Sequence, residues 1–255
     1  MPGSESALQV TDYIKALALE GSRLAAAASS GLGDPVPSCP GWTVTELLRH
    51  LAYVHDWAAS HVSGALVTPL PTPPEEMIVS NGPSGPQLVT HYLESNRNLV
   101  VALQGADPAI RCWTFLPAPS PLTFWARRQA HETTIHRVDA ELAAGSVTPV
   151  TAEFAADGID ELLFGFCSPA RKRRSDSERS LELVATDIRR QWLVEADLRG
   201  FSIKAETGPA QYHVRGPAAG LYRLMWNRPA GAGLETAGDP AVMDWWHRTV
   251  RIIWQ

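Results

Sequence analysis

The stretch WARRQAHETTIHRVDAE, residues 125–141, sets an acid and an imidazole four residues apart inside a helical run. Four residues advance an α-helix by about 400°, so Glu132 and His136 project from nearly the same face and can share one metal ion. His131 lies five residues before His136, roughly 140° around the helix, so the segment lacks the HExxH spacing with which two histidines grip zinc. The same pair also suits a solvated helix face, and spacing alone leaves both readings open.

A metal needs further donors, and a catalytic zinc site normally takes three while leaving one position for water or substrate. His50, in WTVTELLRHLAYVHDW, is the best third donor, because Leu47, Leu51 and Val54 place it on the apolar face of its own helix. An ordinary core histidine would show the same neighbours. His55 and His61 are expected to be more exposed. Asp139, three beyond His136, can accept the spare N–H of a ligating imidazole or pair with Arg137 at the surface. Trp42 and Tyr53 are candidates to face the same cavity or simply to pack.

Working outward, residues 6–28 carry Val10, Ile14, Leu17 and Leu24 at helical spacing and predict an amphipathic helix. A second starts at Thr43, where Thr43 and Glu46 form a capping box, and runs to about His61. The proline-rich TPLPTPPEE that follows predicts an extended loop. A third helix spans about 85–104, and a long loop, 105–120, leads to a fourth capped by Ser120, opened by Pro121 and closed by Gly145. A fifth covers about 151–167. These helices predict a four-helix bundle with one added helix.

From Ser180 the pattern changes. LELVATD, QWLVEADL, FSIKAET and QYHVRG read as strands of an antiparallel sheet, joined by helices at about 216–226 and 239–250. The expected fold class is therefore α plus α+β, with a helical domain over 1–170, a linker over 171–180 and an α+β domain over 181–255.

Composition sets limits on function. With 255 residues, 45% of them hydrophobic, the chain can bury a sizeable core. A net charge of −5 argues against a nucleic-acid surface, and RKRR at 171–174 is too short to reverse that. No segment reads as a signal peptide or membrane span, so a cytoplasmic protein without membrane or nucleic-acid partners is expected, as a monomer or weak homodimer. Cys39, Cys112 and Cys167 form no CxxC pair, which suits a reducing compartment. Cys39, in the turn PSCPGW, reads as structural rather than nucleophilic.

In CPGWTVTELLRHLAYV, in WARRQAHETTIHRVDAE and in the tail GPAAGLYRLMWNRPAGAGLETAGDPAVMDWW, the chain resembles the mycothiol-dependent maleylpyruvate isomerase family along nearly its whole length. The resemblance implies a DinB-like four-helix bundle that binds a divalent metal, zinc foremost, followed by a small α+β domain. It implies His50, Glu132 and His136 as the metal ligands and mycothiol as a thiol cosubstrate. The family's tryptophan-x-arginine element matches Trp226, Asn227 and Arg228, which makes Arg228 the candidate for holding a substrate carboxylate through its guanidinium fork. Arg189, Arg190 and Arg215 are rivals for that role, and a surface arginine ending a helix is the plain alternative.

Two imidazoles and one carboxylate leave a divalent ion with a net charge of about +1 and an open position. Metal coordination deprotonates a thiol without a dedicated base. The resulting thiolate could add to an activated double bond, allow rotation and leave, which isomerises a cis enedioic acid of the maleylpyruvate type. It could instead attack an electrophilic small molecule and stay attached, as in a thiol S-transferase. The proline-rich loop at 69–74, the loop 105–120 with Trp113 and Phe115, and the run RKRRSDSERS are segments that could line or gate the pocket. A non-catalytic metal-binding or partner-binding regulatory module and a metal hydrolase that activates water remain as alternatives.

Overall fold

The structure, a computed structural model, describes residues 8–167 and 174–252. The chain divides between Thr148 and Pro149 into two compact units, Gln9–Thr148 and Pro149–Ile253. The sequence placed the division near 170. The expected linker begins at residues 171–173, which lie outside the described residues, and its last two positions already belong to the first strand.

The first unit holds α1 (Val10–Ala28), α2 (Val44–Ser63), the short α3 (Glu75–Ser80), α4 (Pro86–Gly105) and α5 (Pro121–Ala143). The expected capping box opens α2: Thr43 N–H donates to Glu46 Oε2 at 2.7 Å and Thr45 N–H to Thr43 Oγ1 at 3.3 Å. Ser120 caps α5 by accepting from Thr123 N–H at 3.1 Å, with Pro121 at the first helical position. Residues 69–74 are extended as expected, but the proline-rich segment then turns into α3, with Pro74 ahead of its first turn.

Packing puts α5 between α1 and α2, while α4 packs on α2 and α1 from the other side. Leu24, Leu47, Leu48, Leu51, Leu88 and Tyr92 form the heart of the core between α1, α2 and α4. Because α5 is surrounded, it is buried almost all round rather than along one stripe, and its buried positions include Arg128, Gln129, His131, His136, Arg137, Asp139 and Glu141. A buried polar helix is tolerable only if those groups find partners.

The second unit begins with α6 (Ala152–Asp160), which runs into a π-helical turn over Glu161–Phe166. It continues with β1 (Arg179–Ala185), β2 (Arg190–Asp197), β3 (Gly200–Lys204), β4 (Tyr212–Gly216), α7 (Ala218–Met225), β5 (Glu235–Gly238) and α8 (Ala241–Thr249). Buried indole N–H groups tie helices and sheet together: Trp192 donates to Asp160 Oδ1 at 2.6 Å, Trp226 to Gly158 O at 3.1 Å and Trp246 to Met225 O at 3.0 Å.

The sheet corrects the expectation of an antiparallel one. Its order is β3-β2-β1-β4-β5, and β1 pairs with β4 in parallel, with Leu183 opposite Val214. After the β2–β3 hairpin the chain crosses back to the far side of β1 instead of turning tightly, and a parallel pair results. The edge strand β5, antiparallel to β4, went unread because all four of its residues are exposed and show no apolar alternation. Among the described residues, no helix is long and apolar enough to cross a membrane.

Candidate metal centre

Adjacent packing of α2 and α5 brings His50 to the Glu132–His136 face. Glu132 Oε1 lies 3.4 Å from His50 Nε2 and 3.3 Å from His136 Nε2, so one carboxylate oxygen meets both imidazole nitrogens. The three donor atoms all lie within 4.8 Å of one another. His50 and His136 are buried, and the indole of Trp42 stands 5.2 Å from the His50 ring. Tyr53 is half-buried.

The two carboxylate–imidazole separations suit ligands of a tetrahedral divalent ion. Nitrogen and oxygen ligands about 2.1 Å from zinc stand roughly 3.4 Å apart at the tetrahedral angle. Ordinary charge-assisted hydrogen bonds would be shorter, at about 2.7–2.9 Å.

Each imidazole is addressed from behind. Asp139 Oδ2 lies 2.9 Å from His136 Nδ1, and its carboxylate is fully buried. Ser38 Oγ–H donates to the other Asp139 oxygen, and Cys39 Sγ lies 3.7 Å from Asp139 Oδ2. On the His50 side, Nδ1 stands 3.3 Å from Glu75 Oε1 at the start of α3. Arg128, one turn before Glu132 on α5, donates to Glu132 Oε2 at 3.0 Å and leaves Oε1 to the histidines. A carboxylate behind a ligating histidine fixes its tautomer and raises its basicity.

The electrostatics call for a positive charge at this point. Burial opposes ionisation of Glu132, but hydrogen bonds with His136 and His50 and the charges of His136 and Arg128 outweigh it and hold the carboxyl well below its usual range. Burial also opposes a proton on His136, yet Asp139, Cys39 and Glu132 outweigh it and raise this imidazole well above the ordinary histidine range. A divalent cation in place of that proton satisfies the same carboxylates.

The remaining candidates fall elsewhere. His131 is buried and faces α1, with its ring centroid 6.3 Å from that of Tyr13, in keeping with its offset around α5. His55 and His61, expected to be more exposed, are fully buried. The reason is tertiary: His55 Nε2 meets Thr133 Oγ1 of α5 at 2.9 Å, and His61 is covered by the rings of Trp113, from the loop after α4, and of Trp125 in α5. Asp139 takes His136 rather than Arg137, which pairs instead with Glu20 and Glu141.

Arg228 belongs to the second unit, just after α7. Asn227, at φ 62°, ends that helix in the left-handed conformation, with Arg228 N–H donating to Arg223 O at 2.8 Å. The Arg228 guanidinium donates through Nη1 to Trp226 O at 2.7 Å. Of its rivals, Arg190 lies 3.5 Å from Asp160, while Arg189 and Arg215 are exposed.

Loop 105–120 lines a cavity of about 460 Å³ with Val67, Ile110, Cys112 and Pro121 among its walls. That cavity sits at the start of α5, about 16 Å along the helix from Glu132 by helical rise. Trp113 and Phe115 pack instead with Trp57, Phe124 and Trp125.

Arg128, Ser38 and Glu75 were not singled out from sequence. Arg128 left a signal, since it stands four residues before Glu132 on the same face. Ser38 and Glu75 left none, because Ser38 reaches the site from a loop and Glu75 from the short α3, both outside the helices that carry the donors.

A helical bundle with two imidazoles and a carboxylate converging in its interior belongs to the class of bundle proteins built around a candidate metal centre. Comparison with known proteins makes this specific. Residues 15–141 match the mycothiol maleylpyruvate isomerase N-terminal domain, and residues 153–244 match the C-terminal domain of the same family. The chain belongs to the mycothiol-dependent maleylpyruvate isomerase family. A crystal structure of a mycothiol-dependent maleylpyruvate isomerase superposes with a TM-score of 0.64 at 17% identity, covering 90% of this chain and 93% of that one. A mutant of that enzyme with one histidine changed to alanine gives 0.63 at 17% identity over the same shares. No curated protein matches by sequence.

Proposed function

We infer that this chain is a metal-dependent and mycothiol-dependent enzyme, in which the thiolate of a small thiol cosubstrate attacks an electrophilic small molecule. The observation that carries the reading is the meeting of His50, Glu132 and His136 at one buried point, at separations suited to a divalent ion. Membership of the family supplies the thiol and the electrophile class, with cis-trans isomerisation of a maleylpyruvate-type acid and S-transfer as the two courses open to it.

His50, Glu132 and His136 would hold the ion, zinc foremost. When bound, a divalent ion lowers the pKa of a coordinated thiol and so supplies thiolate at neutral pH. The chain's own residues do the rest. Arg128 fixes Glu132 by one oxygen, and Asp139 orients His136 through Nδ1. Arg228 is the proposed group for a substrate carboxylate. We assign the protein to the cytoplasm, in keeping with three cysteines that form no CxxC pair.

Elemental analysis of protein purified without added metal tests the reading, comparing wild type with His50→Ala and Glu132→Ala, each titrated with mycothiol. About one divalent ion per chain is expected, lost in both variants together with metal-dependent thiol binding. A wild type that stays empty when metal is supplied, or variants that keep metal and thiol binding, would overturn it.

A further inference from the structure

The segment between α2 and α4 has no part in the site described so far, apart from one contact. Glu75, the first residue of α3, places Oε1 3.3 Å from His50 Nδ1. Its side chain is 31% exposed, whereas the facing imidazole is only 3% exposed, so the carboxylate reaches in from the surface.

That approach is held in place by the neighbouring residue. Arg49, adjacent to His50 on α2, donates through Nη1 to Val79 O at 3.0 Å and through Nη2 to Pro83 O at 3.1 Å. Ile78 and Val79 are buried, so the far side of α3 is anchored as well. The prolines of TPLPTPPEE stiffen the other approach and restrict the positions open to Glu75. Consecutive residues of α2 thus serve the segment in two ways: Arg49 anchors it, and His50 meets its carboxylate.

We propose that Glu75 is a positioning residue for the metal centre. The negative charge of its carboxylate, 3.3 Å from Nδ1, holds the imidazole proton on that nitrogen and thereby commits Nε2, the nitrogen facing Glu132, to lone-pair donation. A neutral imidazole carries one proton, and the nitrogen that holds it is set by the bond the other side makes. Asp139 occupies the equivalent place behind His136, so the two histidines are oriented by carboxylates from separate parts of the chain. Asp139 is sealed and comes from α5 itself, whereas Glu75 is half-exposed and comes from a loop-borne helix. The Glu75 arm is therefore the one through which movement of the 69–85 segment would change metal affinity.

This inference rests on the metal reading above, and its test separates the two. Zinc affinity is measured by chelator competition, and the visible absorption of the cobalt(II) form is recorded, for wild type, Glu75→Ala, Glu75→Gln and, as a control on the same helix, Glu76→Ala. Glu75→Ala should weaken zinc binding about 10- to 100-fold and alter the cobalt spectrum. Glu75→Gln, whose carbonyl dipole can still face Nδ1, should recover part of the loss, and Glu76→Ala should match wild type. A Glu75→Ala protein with wild-type zinc affinity and cobalt spectrum overturns the role of Glu75 while leaving the metal centre standing. Equal losses in Glu75→Ala and Glu76→Ala would also overturn it, since they would point to disruption of α3. A wild type that binds neither ion overturns the metal reading and this inference together.

Discussion

Helix α5 carries two buried polar clusters on different faces, and they solve the problem of buried charge in different ways. Around Arg137, Nε meets Glu20 Oε2 at 2.6 Å, and Nη1 meets Glu141 Oε2 at 2.7 Å and Thr148 O at 2.5 Å. Arg23 adds a second cation to Glu20 at 2.7 Å. The charges there are paired at short range through Arg137 Nε and Nη1, while Nη2 is buried with no hydrogen-bond partner among the described residues. Around Glu132, about 1.4 turns away by helical geometry, two imidazoles stand 3.3 and 3.4 Å from one oxygen. A short-range ion-pair network is a structural device; a convergence of electron-pair donors at wider spacing suits a cation.

The largest effect should come from breaking the Arg137 cluster. Arg137→Met leaves Glu20 and Glu141 buried without their shared partner, and breaking one side of a buried pair costs roughly 3–5 kcal/mol. Urea unfolding of metal-free protein should show that loss, with zinc affinity of the folded fraction unchanged. If stability stayed within about 1 kcal/mol of wild type, or zinc affinity fell in parallel, the division between the two clusters would not stand.

The same contrast shows what could be read from sequence and what could not. The amphipathic helices were legible because an apolar face needs only local spacing, and Thr43 with Glu46 and Ser120 with Pro121 marked two helix starts correctly. His50 could be matched to Glu132 and His136 because its apolar neighbours showed which way its helix faces. The surroundings of α5 could not be read: a helix enclosed on most sides carries no stripe, so His131, Arg137 and Asp139 look like surface residues although all are fully buried. His55 and His61 were misjudged for the same reason, since the loops and helices that cover them are distant in sequence. The parallel β1–β4 pair likewise depends on a crossover that no local pattern announces.

A smaller effect is expected from loosening the Glu132 cluster without removing a donor. Asp139→Ala removes the carboxylate behind His136 and frees Ser38 and Cys39 from their shared partner. Zinc affinity should fall about 10- to 100-fold, equivalent to about 1.4–2.7 kcal/mol, in a chelator competition. Unchanged affinity would mean that packing alone orients His136, and would reduce Asp139 to a structural role like that of Glu141.

The smallest effect separates the histidines by the sign of their response to pH. His55 is buried, and burial, with the opposing pull of Glu132 too weak to offset it, lowers its pKa to about 3. Folded His55 is therefore neutral at pH 5.5, while the unfolded chain binds a proton there, so stability falls as pH drops below the ordinary value near 6.5. One pH unit below that value the loss is about 1.4 kcal/mol. His136 acts in the opposite sense: its raised pKa contributes stability that is fully present below the unfolded value and is lost as pH rises through the folded one. Urea unfolding of metal-free protein at pH 7.5 and 5.5 should therefore give a smaller acid-side loss in His55→Gln than in wild type, and a larger one in His136→Ala. Equal losses in all three proteins would show that neither imidazole changes its proton on unfolding, and with that the charge demand at the Glu132 face would lose its support.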